Sequence, residues 1–273
     1  MMLGANDHID LQIHTIYSDG HWQLDDLFAH LAREQFRLVS ITDHDSMEHL
    51  DALRALGDAH GVYVLPGIEM TTNWRGKSAH LLCYAAAFRG DALGQIAHDT
   101  VASQLANTHA VYEELKRKGY HFAQQASLPT RPIDNARLLQ SHGYAESLDE
   151  ALRMITDAGY RSISVPLDEA VAAAHADGAL AILAHPGRGG GEIYRYDIPL
   201  LTEMLADIAL DGIEARYSTY TEEQVATYSA FAHEHELLVS AGSDSHGPEQ
   251  RLPVAYPAST CRELLARFGV VVQ

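Results

Sequence analysis

The chain has 273 residues, 47% of them hydrophobic, and a formal net charge of −18. That length suits one large domain or a barrel carrying an insertion. So acidic a surface does not suit a protein that coats nucleic acid through Lys and Arg, although an end-processing nuclease needs cationic character only in its cleft. Cys83 and Cys261 are the only cysteines, which argues against a disulfide framework and for a reducing compartment. The first residues carry no signal-peptide pattern, and no apolar run reaches the ~20 residues of a membrane span. A cytoplasmic protein is expected.

Taken in order, residues 24–34 place Leu24, Leu27, Phe28 and Leu31 on one helical face. A strand at 37–42, a helix at 47–60 closing near Gly57 to Gly61, and a strand at 62–65 follow. The alternation predicts β/α units with parallel strands. It breaks after Tyr84. Residues 91–118 read as one long helix, followed by a polar stretch at 124–131 and two or three shorter helices. Residues 90–165 are therefore expected to form a helical insertion between two barrel segments, 1–89 and 166–273. The rhythm resumes with helix 167–176, strand 179–183, helix 199–209, strand 212–215, helix 221–235, strand 237–241 and helix 259–268.

Each short apolar run is followed by histidines or carboxylates. These are Gln12 and His14 with Asp19, then Asp43-His44-Asp45, Glu69, His80, His185-Pro186-Gly187-Arg188, Glu214, and Asp244-Ser245-His246. In parallel β/α barrels, functional side chains sit at the C-terminal ends of strands, and all these groups are expected there. A buried imidazole or carboxylate is costly without a partner, and a divalent metal cluster is the economical shared partner. Residues 12 and 14 share one strand face, as do 244 and 246. Glu69 is placed to bridge two ions. Scattered surface histidines, a turn at Asp19-Gly20 and an exposed acidic turn at 43–45 are the bland alternatives. The joint occurrence at strand ends makes them a poor account.

The segments Asp10-Leu11-Gln12-Ile13-His14, Ser18-Asp19-Gly20, Thr42-Asp43-His44, Gly67-Ile68-Glu69, His80, Ala184-His185-Pro186-Gly187 and Gly242-Ser243-Asp244-Ser245-His246 resemble the ordered motifs of the PHP (polymerase and histidinol phosphatase) superfamily. The insertion resembles that of its small bacterial members acting on nucleotides. The resemblance implies an α/β fold, a distorted (β/α)7 barrel, with two or three divalent metals (Mn, Fe or Zn). By position, His14, Glu69 and Asp244 match one site, with Gln12 as an atypical weak ligand in place of its usual His. Glu69, His80 and His185 match a second, and Asp19, His44 and His246 a third. The insertion's usual Arg matches Arg131, while its His position is Ile133.

The expected activity is metal-dependent hydrolysis of a phosphate monoester or diester of a nucleotide-like molecule by a metal-activated hydroxide. Candidate substrates are a nucleoside monophosphate, a bisphosphate or an RNA 5′ end. His44, Asp244 and His185 are assigned to catalysis, and Arg131 and Arg188 to substrate binding. Tyr17 and Trp22 stand near the first motif, where core packing or stacking on a base are both open. No membrane partner and no stable nucleic-acid coating are expected. A C–N or ester hydrolase on the same metals, and a weakened metal-binding relative, remain as alternatives because of Gln12 and Ile133.

Overall fold

A computed structural model of the chain describes residues 1–122, 128–190 and 194–273; of the polar stretch 124–131, residues 124–127 lie outside the described residues. The elements up to the long helix are β1 (Met2–Leu3), β2 (His8–Ile13), α1 (Leu24–Arg33), β3 (Phe36–Ile41), α2 (Leu50–His60), β4 (Tyr63–Val64), β5 (Gly67–Trp74), β6 (Lys77–Tyr84) and α3 (Ala92–Arg117). Then come α4 (Pro132–Ser141), α5 (Leu148–Asp157), β7 (Val165–Pro166), α6 (Leu167–Ala176), β8 (Leu180–Leu183), α7 (Ile198–Asp207) and β9 (Gly212–Tyr217). The last are α8 (Glu222–Glu234), β10 (Leu238–Gly242), β11 (Tyr256–Pro257), α9 (Arg262–Ala266) and β12 (Val271–Val272). The chain divides into two compact units, Met1–Ala97 with Val165–Gln273, and His98–Ser164.

In the first unit, one sheet has the order β10-β9-β8-β6-β5-β7 and another β11-β2-β3-β4. Isolated parallel bridges, Ile13 to Ser245 and His44 to Glu69, span the two seams between them. Around this ring β2, β3, β5, β6, β8, β9 and β10 form the seven staves of a distorted α/β barrel. Apolar side chains of α1 and α2 pack on β2 and β3 through Leu27, Phe28, Leu31, Val39, Ile41 and Leu53. Those of α6, α7 and α8 pack on β5, β6, β8 and β9. Leu11, Leu38, Leu82, Tyr84, Ile182 and Ala241 form a further cluster between the strands. Burying each large side chain contributes about 1.5–3 kcal/mol, and this apolar filling leaves the strand ends to the polar groups.

The expectation of parallel strands needs two corrections, the smaller being the two-residue β11, which pairs antiparallel with β2. Strand β6 runs antiparallel to both β5 and β8. Arg75 and Gly76, between β5 and β6, have φ of 50° and 75°, the positive pair that a two-residue hairpin turn requires. An Arg-Gly pair is a poorer signal for such a turn than Asn-Gly, and apolar periodicity does not report strand direction.

The second unit has its own apolar core of Val111, Leu115, Ala136, Leu139, Ala151 and Ile155. Ser147 caps α5 by accepting a hydrogen bond from the Glu150 backbone N–H. The buried Asn135 donates to the Thr108 carbonyl. Among the described residues, no helix is long and apolar enough to cross a membrane.

Candidate metal centre

Strand β2 delivers Asp10, Gln12 and His14 to one region, all fully buried. The Asp10 carboxylate accepts from the backbone N–H groups of Gln12, Ser243 and Val254 at 3.2, 2.9 and 2.9 Å. It thereby ties β2 to the chain leaving β10. Burial pushes its carboxyl up to about 7 against these bonds. His14 is stacked between His44 and His246, with ring centroids 4.6 and 4.3 Å away. The loop after it is pegged by Asp43, which accepts from Thr15 N, Thr15 Oγ1 and Ser18 Oγ at 2.7, 2.7 and 2.6 Å. Gly20 lets that loop fold back, since a Cβ there would lie 2.6 Å from the His14 carbonyl. The fold thereby sets Asp19 Oδ2 3.2 Å from His246 Nε2.

Glu69 lies at the middle of the cluster, fully buried. Its Oε1 is 2.9 Å from His80 Nδ1 and 3.1 Å from His185 Nε2. Its Oε2 is 2.9 Å from His14 Nε2 and 2.7 Å from Gln12 Nε2. Desolvation would raise the Glu69 carboxyl, but His44 and the close imidazole nitrogens of His14, His185 and His80 outweigh it and hold the group well below its usual range. Burial pushes the His44 and His185 imidazoles down, toward the neutral form that binds metal. Burial also opposes the charged forms of His14 and His80, but their carboxylate neighbours prevail and raise both.

Asp244 presents Oδ1 to His14 Nε2 at 3.2 Å. Its Oδ2 accepts from Arg188 at 2.8 Å, the Tyr217 hydroxyl at 2.7 Å and Arg251 at 3.2 Å. Asp45, His185 and Asp244 all have positive φ, at 48°, 30° and 55°. Such conformations cost of order 1–3 kcal/mol each and gather at functional sites. Arg188 is fixed through its loop: Gly187 N donates to the Tyr220 hydroxyl, and Gln224 Nε2 donates to the Gly187 carbonyl at 3.3 Å.

The donor set fits divalent metal. Three groupings bring ligand atoms within 4.8 Å of one another: His14 with Asp19, His44 and His246; His44 with Glu69 and His80; and His14 with Glu69 and Asp244. Both ring nitrogens of His14 and Nδ1 of His44 are buried without a hydrogen bond. His14 Nε2 nevertheless lies within 3.2 Å of two carboxylate oxygens, so its neighbours are close but not aimed as hydrogen-bond partners. Close, unaligned N and O atoms converging on common points are what ligands of a cation present, and imidazole with carboxylate suits Mn, Fe or Zn.

The structure thus brings together His14, Asp19, His44, Glu69, His80, His185, Asp244 and His246. Two expectations of placement are corrected. Glu69 lies near the start of β5 and His80 in the middle of β6, paired with Thr71, rather than at strand C-termini. The hairpin that reverses β6 carries both to the cluster. Gln12 turns its amide nitrogen, which cannot ligate, toward Glu69. Glu214 stands behind the cluster and accepts from His185 N at 2.9 Å. Arg131 belongs to the helical unit, where its guanidinium pairs with Asp134 at 3.4 Å at the start of α4. Ile133 packs on that unit's core. Trp22 is a core residue that donates to Ser245 Oγ. Tyr17 is exposed and stacks on His49. Sequence reasoning missed Tyr217 and Arg251. Tyr217 ends β9, a strand-end position that was open to notice, but no spacing singles out Arg251.

A distorted α/β barrel that gathers His14, His44, His80, His185 and His246 around the buried carboxylates of Glu69 and Asp244 defines a protein of the metal-dependent hydrolase type. A family model for the PHP domain matches residues 10–193, and the chain belongs to that family. Phosphoribosyl 1,2-cyclic phosphate 1,2-diphosphodiesterase of Eggerthella lenta is 28% identical over 262 residues, covering 89% of this chain and 96% of that protein. The 3′,5′-nucleoside bisphosphate phosphatase of Chromobacterium violaceum is 23% identical over 257 residues, covering 88% of each. A crystal structure from Bifidobacterium adolescentis, described as a metal-dependent phosphoesterase, shares the fold with a TM-score of 0.74 at 24% identity, covering 96% of both chains.

Proposed function

We propose that the chain is a metal-dependent phosphoesterase hydrolysing a phosphate monoester or diester of a small nucleotide-like molecule. The observation that carries this reading is the divided use of Glu69, one oxygen toward His80 and His185 and the other toward His14, beside two guanidinium groups on Asp244. His80, His185 and Glu69 would hold one divalent ion, and His14, Asp244 and Glu69 a second. Asp19, His44 and His246 would hold a third. Mn, Fe or Zn suits these donors. When bound, such ions lower the pKa of water toward ~7 and offset charge on the phosphoryl group.

The chain's own groups do the rest. Arg188 spends one N–H group on Asp244 and keeps a planar fork for a phosphoryl oxygen, its side chain 32% exposed. Arg251 and Tyr217 hold Asp244 by Oδ2, so that Oδ1 stays turned toward His14. Asp10 and Glu214 fix the backbone of the ligand-bearing segments. Tyr17, backed by His49, offers an aromatic face on the loop that carries Asp19; its Cα lies at most about 7 Å from that of Asp19. A base stacked there would gain about 1–3 kcal/mol.

The relatives act on phosphate esters both with and without a base, to judge by their names, and Tyr17 favours the base-bearing class. A C–N or carboxylic ester hydrolase would use the same donors, but it has less need of paired guanidinium groups. A phosphate-release screen with Mn²⁺ over nucleoside monophosphates, bisphosphates and short 5′-phosphorylated RNA tests the proposal. Release with competitive inhibition by inorganic phosphate is expected. Hydrolysis of amides or carboxylic esters in place of every phosphate ester would overturn it.

A further inference from the structure

Gln12 is one of two positions where the chain departs from the motifs it resembles, and its surroundings say what it does there. It is fully buried; Nε2 donates to Glu69 Oε2 at 2.7 Å, and Oε1 is buried with no hydrogen-bond partner, the atom that would ligate if Gln12 did. An amide nitrogen is a donor only. Turning the amide would set Oε1 against a carboxylate oxygen at the same short range, two acceptors facing each other. The side chain is also pinned at its root. Its backbone N–H donates to Asp10, its carbonyl accepts from Asp244 N at 2.9 Å, and a Cβ on Gly242 would lie 2.5 Å from Gln12 Cβ.

We infer that Gln12 is a hydrogen-bond clamp on Glu69 rather than a metal ligand, and that it makes the cation position of His14, Glu69 and Asp244 the weakest and most exchangeable of the cluster. This rests on the metal-dependent reading above. Three protein ligands remain there, and two are shared. Glu69 Oε2 gives lone-pair density to the Gln12 amide. Asp244 gives its other oxygen to Arg188, Tyr217 and Arg251, and the two guanidinium charges compete with a cation for the same carboxylate. On the opposite side, Glu69 Oε1 faces the imidazoles of His80 and His185, with no amide between. As a positioning residue, Gln12 keeps Glu69 oriented when that weak position is exchanging.

The two roles predict opposite results when the amide is removed. Mn²⁺ is titrated into the chelator-stripped full chain, with binding read by calorimetry and free Mn²⁺ by its paramagnetic resonance. Wild type should show a last binding step about tenfold or more weaker than the others. Gln12→Leu should leave that step unweakened or tighten it, because Oε2 is released to the cation. Gln12→His should tighten it by more than about threefold with earlier steps unchanged. Gln12→Met, closer in shape, replaces the Leu variant if that one loses its thermal transition.

Weakening of the last step by more than about threefold in the Leu or Met variant would make Gln12 a ligand and overturn the inference. So would equal affinity of all steps in wild type, or no gain in Gln12→His. If wild type binds no Mn²⁺ at all, the metal-dependent reading itself falls, a result distinct from failure of the clamp.

Discussion

On one side of Glu69, Oε1 faces His80 in the middle of β6 and His185 directly after β8. On the other, Oε2 faces one imidazole, His14, and one amide, Gln12, with Asp244 alongside at φ 55°. The first side is built on the β5–β6 ladder and on His185, which lies two residues beyond β8 at φ 30° with its N–H held by Glu214. The second is built where β2 meets the chain leaving β10, and there Asp10, Arg188, Tyr217 and Arg251 are all needed to fix the same few atoms. The β5–β6 ladder sets Glu69 and His80 directly, whereas the ligands beyond strand ends, His185 and Asp244, are held by outer hydrogen bonds. The chain has put its adjustable elements, an amide and two guanidinium groups, at the seam.

The comparison can be broken most sharply at its centre. Glu69→Ala removes the group common to both sides and should lower phosphate release by about 1000-fold or more while also reducing bound Mn²⁺. Retained metal with retained rate would mean that Glu69 joins nothing. A smaller effect is expected from Arg188→Ala, about 10–100-fold in kcat/KM, with inorganic phosphate binding more weakly. Arg131→Ala, assayed alongside, reads whether that residue contributes as well.

Smaller again is Tyr17→Ala, about tenfold in KM for a nucleoside bisphosphate and no change for a base-free sugar phosphate. An equal loss for both substrates would remove the base-stacking role. Acidification should act mainly through proton competition for imidazole, and because the neighbouring carboxylates raise His14 and His80, Mn²⁺ affinity begins to fall above pH ~6.5 and binding releases protons. Binding heats that do not vary with the buffer's ionisation enthalpy would contradict this.

Much of the barrel was legible because its strands and helices carry period-specific apolar patterns. Helix α6 falls at residues 167–176 as the periodicity predicts, and α1 ends one residue early. What periodicity does not carry is strand direction, so the β5–β6 hairpin stayed hidden behind an Arg-Gly turn. The last helix, expected at 259–268, splits into a 3₁₀ turn at Ala258–Cys261 and a short α9. The imidazoles and carboxylates of the cluster announced themselves by residue type and position. Their supporting hydrogen bonds did not, because Tyr217 and Arg251 meet Asp244 only through tertiary packing. The same holds for Gln12, whose residue type suggested a weak ligand and whose amide orientation only the fold could supply.

The central claim is that the cluster around Glu69 makes the chain a metal-dependent phosphoesterase. The most direct measurement is inorganic phosphate released from a nucleoside 3′,5′-bisphosphate by metal-stripped protein, before and after Mn²⁺ is restored, with Mn²⁺ content determined in the same samples. The account predicts negligible release from the stripped chain and turnover that rises with bound Mn²⁺ and disappears on chelation. Release that ignores chelation, or a chain loaded with Mn²⁺ that hydrolyses neither this nor any other phosphate ester, would contradict it.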